Sequence, residues 1–486
     1  MSVNKTFKLI GVLAGPFACF IVSSLVSSSS NSDVTGHMAG IATWMAIWWF
    51  TESVHLAVTA LIPVLFLPVF GIADAKTVAK QYTDSIIFLF IGGFMIAFAI
   101  EKHGLHKRIA LKILSVVGNK PSTILMGIML SAYLISNWIS NTATTIMLFG
   151  AVMALLAELD NHVHEGKRKF ESAMLLGLAF AATIGGMATP VGTPPNLFFF
   201  KEYSKAFPES NDLNFLTWAK IGFPLSFSFL ILTFFVLKTY FLKEITINLP
   251  RNFFKMELEK EGKINRDQKL IYFVFISCML LWFTRDNLTI GQFQFMGWKN
   301  LFPKPDAIDD SCVAIAAAFF LFLFPSQKRK GESILMWEDA SKIRYDIILM
   351  FGSGFALAYG FEQSGLSSWL AHSLTFFKGI PVFLLILSLC IIVTIISEFA
   401  SNIASIQLCI PILIAIQKEL EINPLLLMIP ATFAASLGFM LPVATAANTI
   451  VFGTKKIMMK DMFRVGLILD IAGILLITTF VYFYFT

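Results

Sequence analysis

Residues 136–143 read Ser-Asn-Trp-Ile-Ser-Asn-Thr-Ala, and residues 397–404 read Ser-Glu-Phe-Ala-Ser-Asn-Ile-Ala. The pattern Ser-x-x-x-Ser-Asn-x-Ala thus recurs at an offset of 261 residues (Ser140 to Ser401), each time inside apolar sequence. At the same offset upstream, 86–105 matches 347–366. Phe90, Gly93, Phe94, Ala97, Glu101 and Gly104 return as Phe351, Gly354, Phe355, Ala358, Glu362 and Gly365. Downstream, GMATPVGTPPN (186–196) matches GFMLPVATAAN (438–448) at an offset of 252. A chain with these matches is a duplication in which each half carries two polar, helix-breaking motifs. That is the pattern expected of a transporter with its binding site between repeats.

Composition places these motifs in a membrane. The chain is 56% hydrophobic and 14% charged with a mean hydropathy of +0.74, where a soluble domain carries about 25% charged residues. Apolar runs long enough to cross a bilayer recur along nearly the whole length. The net charge of +6 does not indicate nucleic acid, because the Lys and Arg lie in short loops between apolar runs. The five cysteines show no CxxC spacing and read as small buried residues. The first apolar run, 8–27, is too long for the core of a signal peptide and reads as a retained helix.

The sequence predicts an all-α polytopic protein with about eleven spans: 8–28, 38–52, 54–70, 85–102, 172–200, 216–240, 269–284, 309–325, 344–362, 425–453 and 464–485. Two further apolar segments, 121–159 and 380–417, hold the Ser-Asn motifs at their centres. A polar motif at bilayer depth on a lipid-facing helix costs several kcal/mol, roughly, so both segments are expected to fold back as re-entrant hairpins. Charge supports this. With a cytoplasmic N-terminus and two hairpins, the basic stretches 102–112, 167–169, 243–269, 328–344 and 455–464 all fall inside, as the positive-inside rule asks. An odd number of spans then separates equivalent points of the halves, so the repeats are inverted. The first repeat lies in 1–240, with hairpin 121–159 and broken helix 172–200. A polar linker, 241–268, is expected as a solvated cytoplasmic connector. The second repeat lies in 269–486, with hairpin 380–417 and broken helix 425–453.

Ser136, Ser140, Asn141 and Thr142 gather short oxygen-bearing side chains beside backbone carbonyls freed at a helix break, a set suited to a hard cation such as Na+. Half-helix N-termini present free N–H groups and partial positive charge to an anion. Thr189-Pro190-Val191-Gly192-Thr193-Pro194-Pro195-Asn196 cannot continue a helix, since each proline costs about 3 kcal/mol in a helix interior. Its counterpart 441–448 keeps the Pro-Val-x-Thr-x-x-Asn core. Neither hairpin nor break holds a Lys, Arg or His at its centre, so an anionic substrate needs co-bound cations to offset its charge. Glu398 is the one acid beside the second motif, open to a role facing a cation or a proton and equally to a salt-bridged structural one. Glu101 and Glu362 read as interfacial structural residues.

These motifs, with WMAIWWFTESVHLAVTALIPV (44–64) and LPVATAANTIVFG (441–453), resemble the divalent anion:sodium symporter (DASS, or INDY-type) family over nearly the whole chain. WISNTATT at 138–145 is highly specific for it. The resemblance implies a homodimer in which a moving part carries substrate past a scaffold by an elevator motion. The scaffold would comprise the first four spans and the seventh to ninth; the moving part would hold both hairpins and the remaining spans. One Na+ site would use Ser136, Ser140, Asn141 and Gly192, the other Ser397, Ala400, Asn402 and Ala444. Substrate would lie among Asn141, Thr142, Thr193, Asn402, Pro442 and Thr445. Two departures stand out: Ile403 replaces the hydroxyl expected after the second Ser-Asn, and Ala446-Ala447 replace Pro-Pro.

The expectation is a Na+-coupled symporter of di- or tricarboxylates (succinate, malate, fumarate, with citrate as a further candidate). It would need no cofactor beyond the coupling ion and would sit in the lipid bilayer of a plasma membrane, the short loops pointing to a bacterial one. The alternatives are a sulfate symporter or a Na+-independent dicarboxylate exchanger of the same fold. An intramembrane enzyme would need a nucleophile with its base, or a metal cluster, at membrane depth, and the sequence offers none there. A channel would be excluded by saturable, concentrative uptake.

Overall fold

The computed structural model describes residues 5–117, 120–159, 166–209, 213–243, 245, 253–290, 293–329, 331–373 and 379–486. Helices dominate these residues; one small antiparallel β-hairpin, Leu288–Ile290 with Phe293–Phe295, interrupts them. Every segment expected as a span is helical. Five helices are long and apolar enough to cross a membrane by length and composition, among them Phe215–Phe241 and Met459–Phe485. Others are split. The segment 54–70 forms two short helices, Leu56–Thr59 and Ile62–Val69, with Pro63 at the start of the second.

Both Ser-Asn segments are helix–turn–helix units. Helix Pro121–Ser136 turns through Asn137, Trp138, Ile139 and Ser140 into helix Asn141–Leu159. Helix Val382–Phe399 turns through Ala400 and Ser401 into Asn402–Leu420. At about 1.5 Å per residue, the 16 residues of Pro121–Ser136 fall short of a ~30 Å hydrocarbon core. Both proline motifs break their helices as expected. Lys167–Gly186 stops before Pro190, and Pro194–Ala206 resumes with prolines in its first turn, where the missing N–H costs nothing. In the second half Leu425–Ala434 stops and Ala446–Phe452 resumes.

The broken helices pack crosswise. Pro194–Ala206 rests on helices Asn402–Leu420 and Leu425–Ala434 of the other half, and Ala446–Phe452 rests on Asn141–Leu159 and Lys167–Gly186. Phe180 meets Phe439 edge-on with centroids 5.0 Å apart, and Trp218 tilts over Phe433 at 5.0 Å. Aromatic pairs at such separations add to their area burial.

The duplicated spans end alike. After Ser85–Lys102 the chain turns at Gly104 (φ +68°) into Leu105–Val117, and after Tyr345–Gln363 it turns at Gly365 (φ +73°) into Leu366–Ser373. A left-handed φ is open to glycine without penalty, which explains the repeated glycine.

The linker differs from a loose connector. Its helix Phe253–Lys260 packs on Leu105–Val117. Arg108 donates to the Glu261 and Gly262 carbonyls at 2.8 and 2.9 Å. Lys107 pairs with Glu261 at 2.5 Å. Arg251, one of its expected solvated cations, lies outside the described residues.

Candidate functional site

In the first half, the turn between the hairpin helices brings the Ser136 hydroxyl to 2.9 Å from Asn141 Oδ1, to which it donates. Gly186 and Gly192, from either side of the helix break, close over this pair. A Cβ on Gly192 would lie 2.6 Å from the Gly186 carbonyl oxygen and 3.0 Å from that of Ser136. A Cβ on Gly186 would collide with Asn141 Oδ1. The missing side chains therefore let two carbonyl oxygens, an amide oxygen and a hydroxyl converge.

The second half repeats the geometry. The Ser397 hydroxyl lies 3.0 Å from Asn402 Oδ1 and 2.6 Å from the Ala435 carbonyl oxygen. A Cβ on Gly438 would stand 3.2 Å from Ala444 Cβ and 3.8 Å from the Ser397 carbonyl oxygen. Ser136 and Ser397 are both fully buried. Such oxygen clusters, short of charge, fit a hard monovalent cation; of the expected ligands, Ser136 and Asn141 in one half and Ser397 and Asn402 in the other converge through their side chains.

The other expected residues stand as follows. The Ser140 hydroxyl accepts from Ala143 N at 3.4 Å at the head of the outgoing helix. Thr142 is half-buried in that helix's first turn. Ala400 is buried and extended (φ −125°, ψ 166°) at the end of its helix. Thr193 and Thr445 each precede a resumed helix; the Thr445 hydroxyl accepts from Asn448 N at 3.1 Å. The Pro442 carbonyl accepts from the Thr449 hydroxyl at 2.7 Å. Among the described residues no hydrogen bond joins Asn141, Thr142 or Thr193 to Asn402, Pro442 or Thr445, so each half-site is built separately.

Two residues left out of the expected ligand sets brace the breaks. Asn196 Nδ2 donates to the Gly186 and Thr189 carbonyls at 3.1 and 2.8 Å. Asn448 Nδ2 donates to those of Gly438 and Leu441 at 2.8 and 3.2 Å. Both are fully buried, and the Oδ1 of each has no hydrogen-bond partner. The signal was present in the repeated Pro-Val-x-Thr-x-x-Asn core.

Glu398 is a brace as well. Its carboxylate accepts from Met440 N at 2.8 Å and Leu441 N at 3.0 Å, holding the second break open. Its repeat mate Asn137 serves the first break: its carbonyl accepts from the Thr189 hydroxyl. The contacts of Glu398 are to backbone N–H groups, where the expected structural role was a salt bridge. Trp218 adds an indole N–H to the Met187 carbonyl at 3.1 Å.

A cavity of about 40 Å3 lies beside the first half-site, lined by Ser140, Gly192 and Pro194 on one side and by Phe90, Gly93 and Glu101 on the other. Glu101 carries the only charge among the residues lining it.

The comparisons bear on this arrangement. The family model for the sodium:sulfate symporter transmembrane region matches residues 8–486. The chain belongs to the sodium:sulfate symporter family. It is 34% identical over 491 residues to a sodium-dependent dicarboxylate transporter, SdcS, of Staphylococcus saprophyticus, covering 99% of this chain and 92% of the relative. It is 32% identical to SdcS of Staphylococcus aureus, covering 99% and 91%. Two solved structures share the fold at low identity. YdaH of Alcanivorax borkumensis gives a TM-score of 0.56 at 11% identity, covering 83% of this chain and 86% of that one. MtrF of Neisseria gonorrhoeae gives 0.55 at 14%, covering 84% and 82%. With its apolar helices, this member of a transporter family is an integral protein of the plasma membrane.

Proposed function

We propose that the protein is a Na+-coupled symporter carrying succinate, malate or fumarate, with citrate as a further candidate, into a bacterial cell. The observation that carries this reading is the twofold oxygen cluster: Ser136–Asn141 with Gly186 and Gly192, and Ser397–Asn402 with Ala435 and Ala444. Each cluster takes one Na+. The dianion lies between them, against the N-termini of helices Asn141–Leu159 and Asn402–Leu420, whose free N–H groups face negative charge. Thr142, Thr193, Pro442 and Thr445 complete the substrate surface. With no basic side chain in the first half-site cavity, bound Na+ offsets the substrate charge, and binding of the two becomes coupled. The names of the staphylococcal relatives support the same cation and substrate class.

The repeats are inverted, the N-terminus is cytoplasmic, and the hairpins are re-entrant from opposite faces. The moving part comprises both hairpins and broken helices, and the protein works as a homodimer. An asymmetry between the halves supports a moving part. A Cβ on Gly354 would meet Phe198 and Gln407 at 2.6 to 2.7 Å, whereas its repeat mate Gly93 has nothing within 4 Å. One hairpin is thus packed tightly on its scaffold helix while the other faces open space.

Uptake of labelled succinate into proteoliposomes tests the reading, with an inward Na+ gradient against a K+ control and competition by citrate and sulfate. Na+-dependent accumulation blocked by dicarboxylates is expected. Uptake indifferent to Na+ but stimulated by internal dicarboxylate would make the protein an exchanger. Block by sulfate alone would make it a sulfate symporter.

A further inference from the structure

Helix Pro194–Ala206, part of the proposed moving body, carries two lysines onto the proposed scaffold. Lys201 Nζ pairs with Asp84 Oδ2 at 2.5 Å, and Lys205 Nζ lies 5.2 Å from the centre of the Tyr359 ring. Asp84 is the N-cap of helix Ser85–Lys102, its Oδ1 accepting from Ile86 N at 3.1 Å. Tyr359 stands in the last turns of helix Tyr345–Gln363. Helix Ser85–Lys102 runs from Asp84 toward the basic stretch 102–112, and Tyr345–Gln363 runs away from the basic stretch 328–344. Both contacts therefore sit on the external face in the proposed orientation.

Ordinary surface ion pairs contribute little, because two mobile side chains must be held together in water. This pair differs on both counts. The side chains are only 30% and 20% exposed, and the cap bond already fixes Asp84, so Lys201 alone has to be ordered. Nor is the pair repeated. The offsets of 261 and 252 place Tyr345 opposite Asp84 and Gly453 opposite Lys201, and neither supplies the charge. A contact made in one half only distinguishes one position of the moving part from another.

The boundary between the two bodies is uneven in the same sense. Phe198 of the same helix stacks on Phe355 with centroids 5.4 Å apart, and Gln407 Nε2 donates to the Met350 carbonyl at 2.6 Å. Along helix Ser85–Lys102 toward its cytoplasmic end the bodies stand apart. A Cβ on Gly93 would have nothing within 4 Å, and the cavity of about 40 Å3 lies there, between Ser140 and Gly192 on one side and Glu101 on the other.

We propose that the Asp84–Lys201 pair, with Lys205 on Tyr359, is an external latch that holds the moving part inward-facing and so sets how often the substrate site is presented outside. The proposal rests on the elevator reading of the symporter. Its sign follows from populations. A site presented outside for only a fraction of the time shows an external affinity reduced by that fraction. Releasing the latch therefore tightens apparent binding from outside and leaves the cytoplasmic side almost unchanged.

The test is initial uptake of labelled succinate at saturating Na+ into right-side-out and inside-out vesicles holding the full-length protein. Asp84→Asn keeps an N-cap and removes the charge, and Lys201→Gln removes the opposite charge. Each should lower the half-saturating succinate concentration about two- to fivefold in right-side-out vesicles, with little change in inside-out ones. The double variant should match the singles, because all three break one pair. Unchanged external values, additive shifts, or a shift on the cytoplasmic side instead would overturn the latch. Cross-linking tests the elevator beneath it. Ala206→Cys and Ala358→Cys line one cavity between the two bodies, and joining them with a thiol cross-linker, the five native cysteines replaced, should stop transport. Undiminished uptake by cross-linked protein would overturn the elevator and the latch with it. Absence of Na+-dependent uptake by the wild type would overturn the symporter reading. Thermal midpoints of the three variants then test the pair without transport: equal losses in singles and double are expected, and strictly additive losses would overturn the latch.

Discussion

At the scale of single residues, the two halves answer each other atom by atom. Ser136 and Asn141 in one half are matched by Ser397 and Asn402 in the other, at 2.9 and 3.0 Å. Asn141→Ala and Asn402→Ala each remove an amide oxygen from the cluster. Each variant is expected to lose transport more than about tenfold while still purifying as folded protein, read by uptake beside size-exclusion chromatography. Wild-type-like uptake by both would remove these residues from the site. Asn196 and Asn448 act on the backbone instead, each donating to two carbonyls that the helix break leaves free. Asn196→Asp keeps the shape but replaces the donor with an acceptor facing carbonyl oxygens. A loss of about 2 kcal/mol is expected, measured as a lowered thermal midpoint in detergent, where Asn196→Ala should lose less.

Among elements, the breaks matter more than the helices they interrupt. The Gly192 position admits no Cβ without displacing the Gly186 or Ser136 carbonyl, so Gly192→Ala should raise the Na+ concentration for half-maximal uptake severalfold. An unchanged Na+ response would detach this break from the cation site. Ile403, the departure from the expected hydroxyl, is 6% exposed and packs in the core. Ile403→Thr is expected to change the succinate-to-sulfate preference or the Na+ response, and an unchanged profile would make the departure neutral. The linker between the halves is a docked element too. Asp267, at the head of helix Arg266–Phe283, accepts from the Ser326 hydroxyl at 2.6 Å and from Gln327 N and Lys328 N at 2.8 and 3.1 Å. Burial raises its carboxyl, but these donors together hold it below the usual carboxylate range. A lowered carboxyl contributes stability above the unfolded value and loses it as pH falls through the folded one. Thermal midpoints taken from neutral to acid pH should therefore drop more steeply for the wild type than for Asp267→Asn.

For the whole molecule, the proposed pair of cation clusters predicts that uptake rises with Na+ more steeply than a single site allows. Ser397→Ala should reduce that steepness as well as the affinity. A hyperbolic Na+ dependence in the wild type would leave one cluster without an ion. The open space at Gly93 and its closure at Gly354 show the halves in unlike arrangements despite their common sequence.

Much of this was legible in the residues. A repeat is visible because duplicated sequence keeps duplicated geometry, and Pro190 and Pro442 each fall where a helix stops, so the breaks and the turns at the Ser-Asn motifs follow from local rules. Gly104 and Gly365 announced their turns through the same left-handed backbone. Other features depended on residues far apart in the chain. Glu398 became a brace only when its helix met the backbone of Met440 and Leu441, 42 and 43 positions on. The linker's docking needed Arg108 to meet Glu261 and Gly262, and the ion pair at the head of helix Ser85–Lys102 needed Asp84 to meet Lys201. Local periodicity and turn chemistry act over a few residues and are written in the sequence itself. Burial, carboxylate pairing and cavity shape are set by which distant elements pack together, and only the tertiary structure decides that.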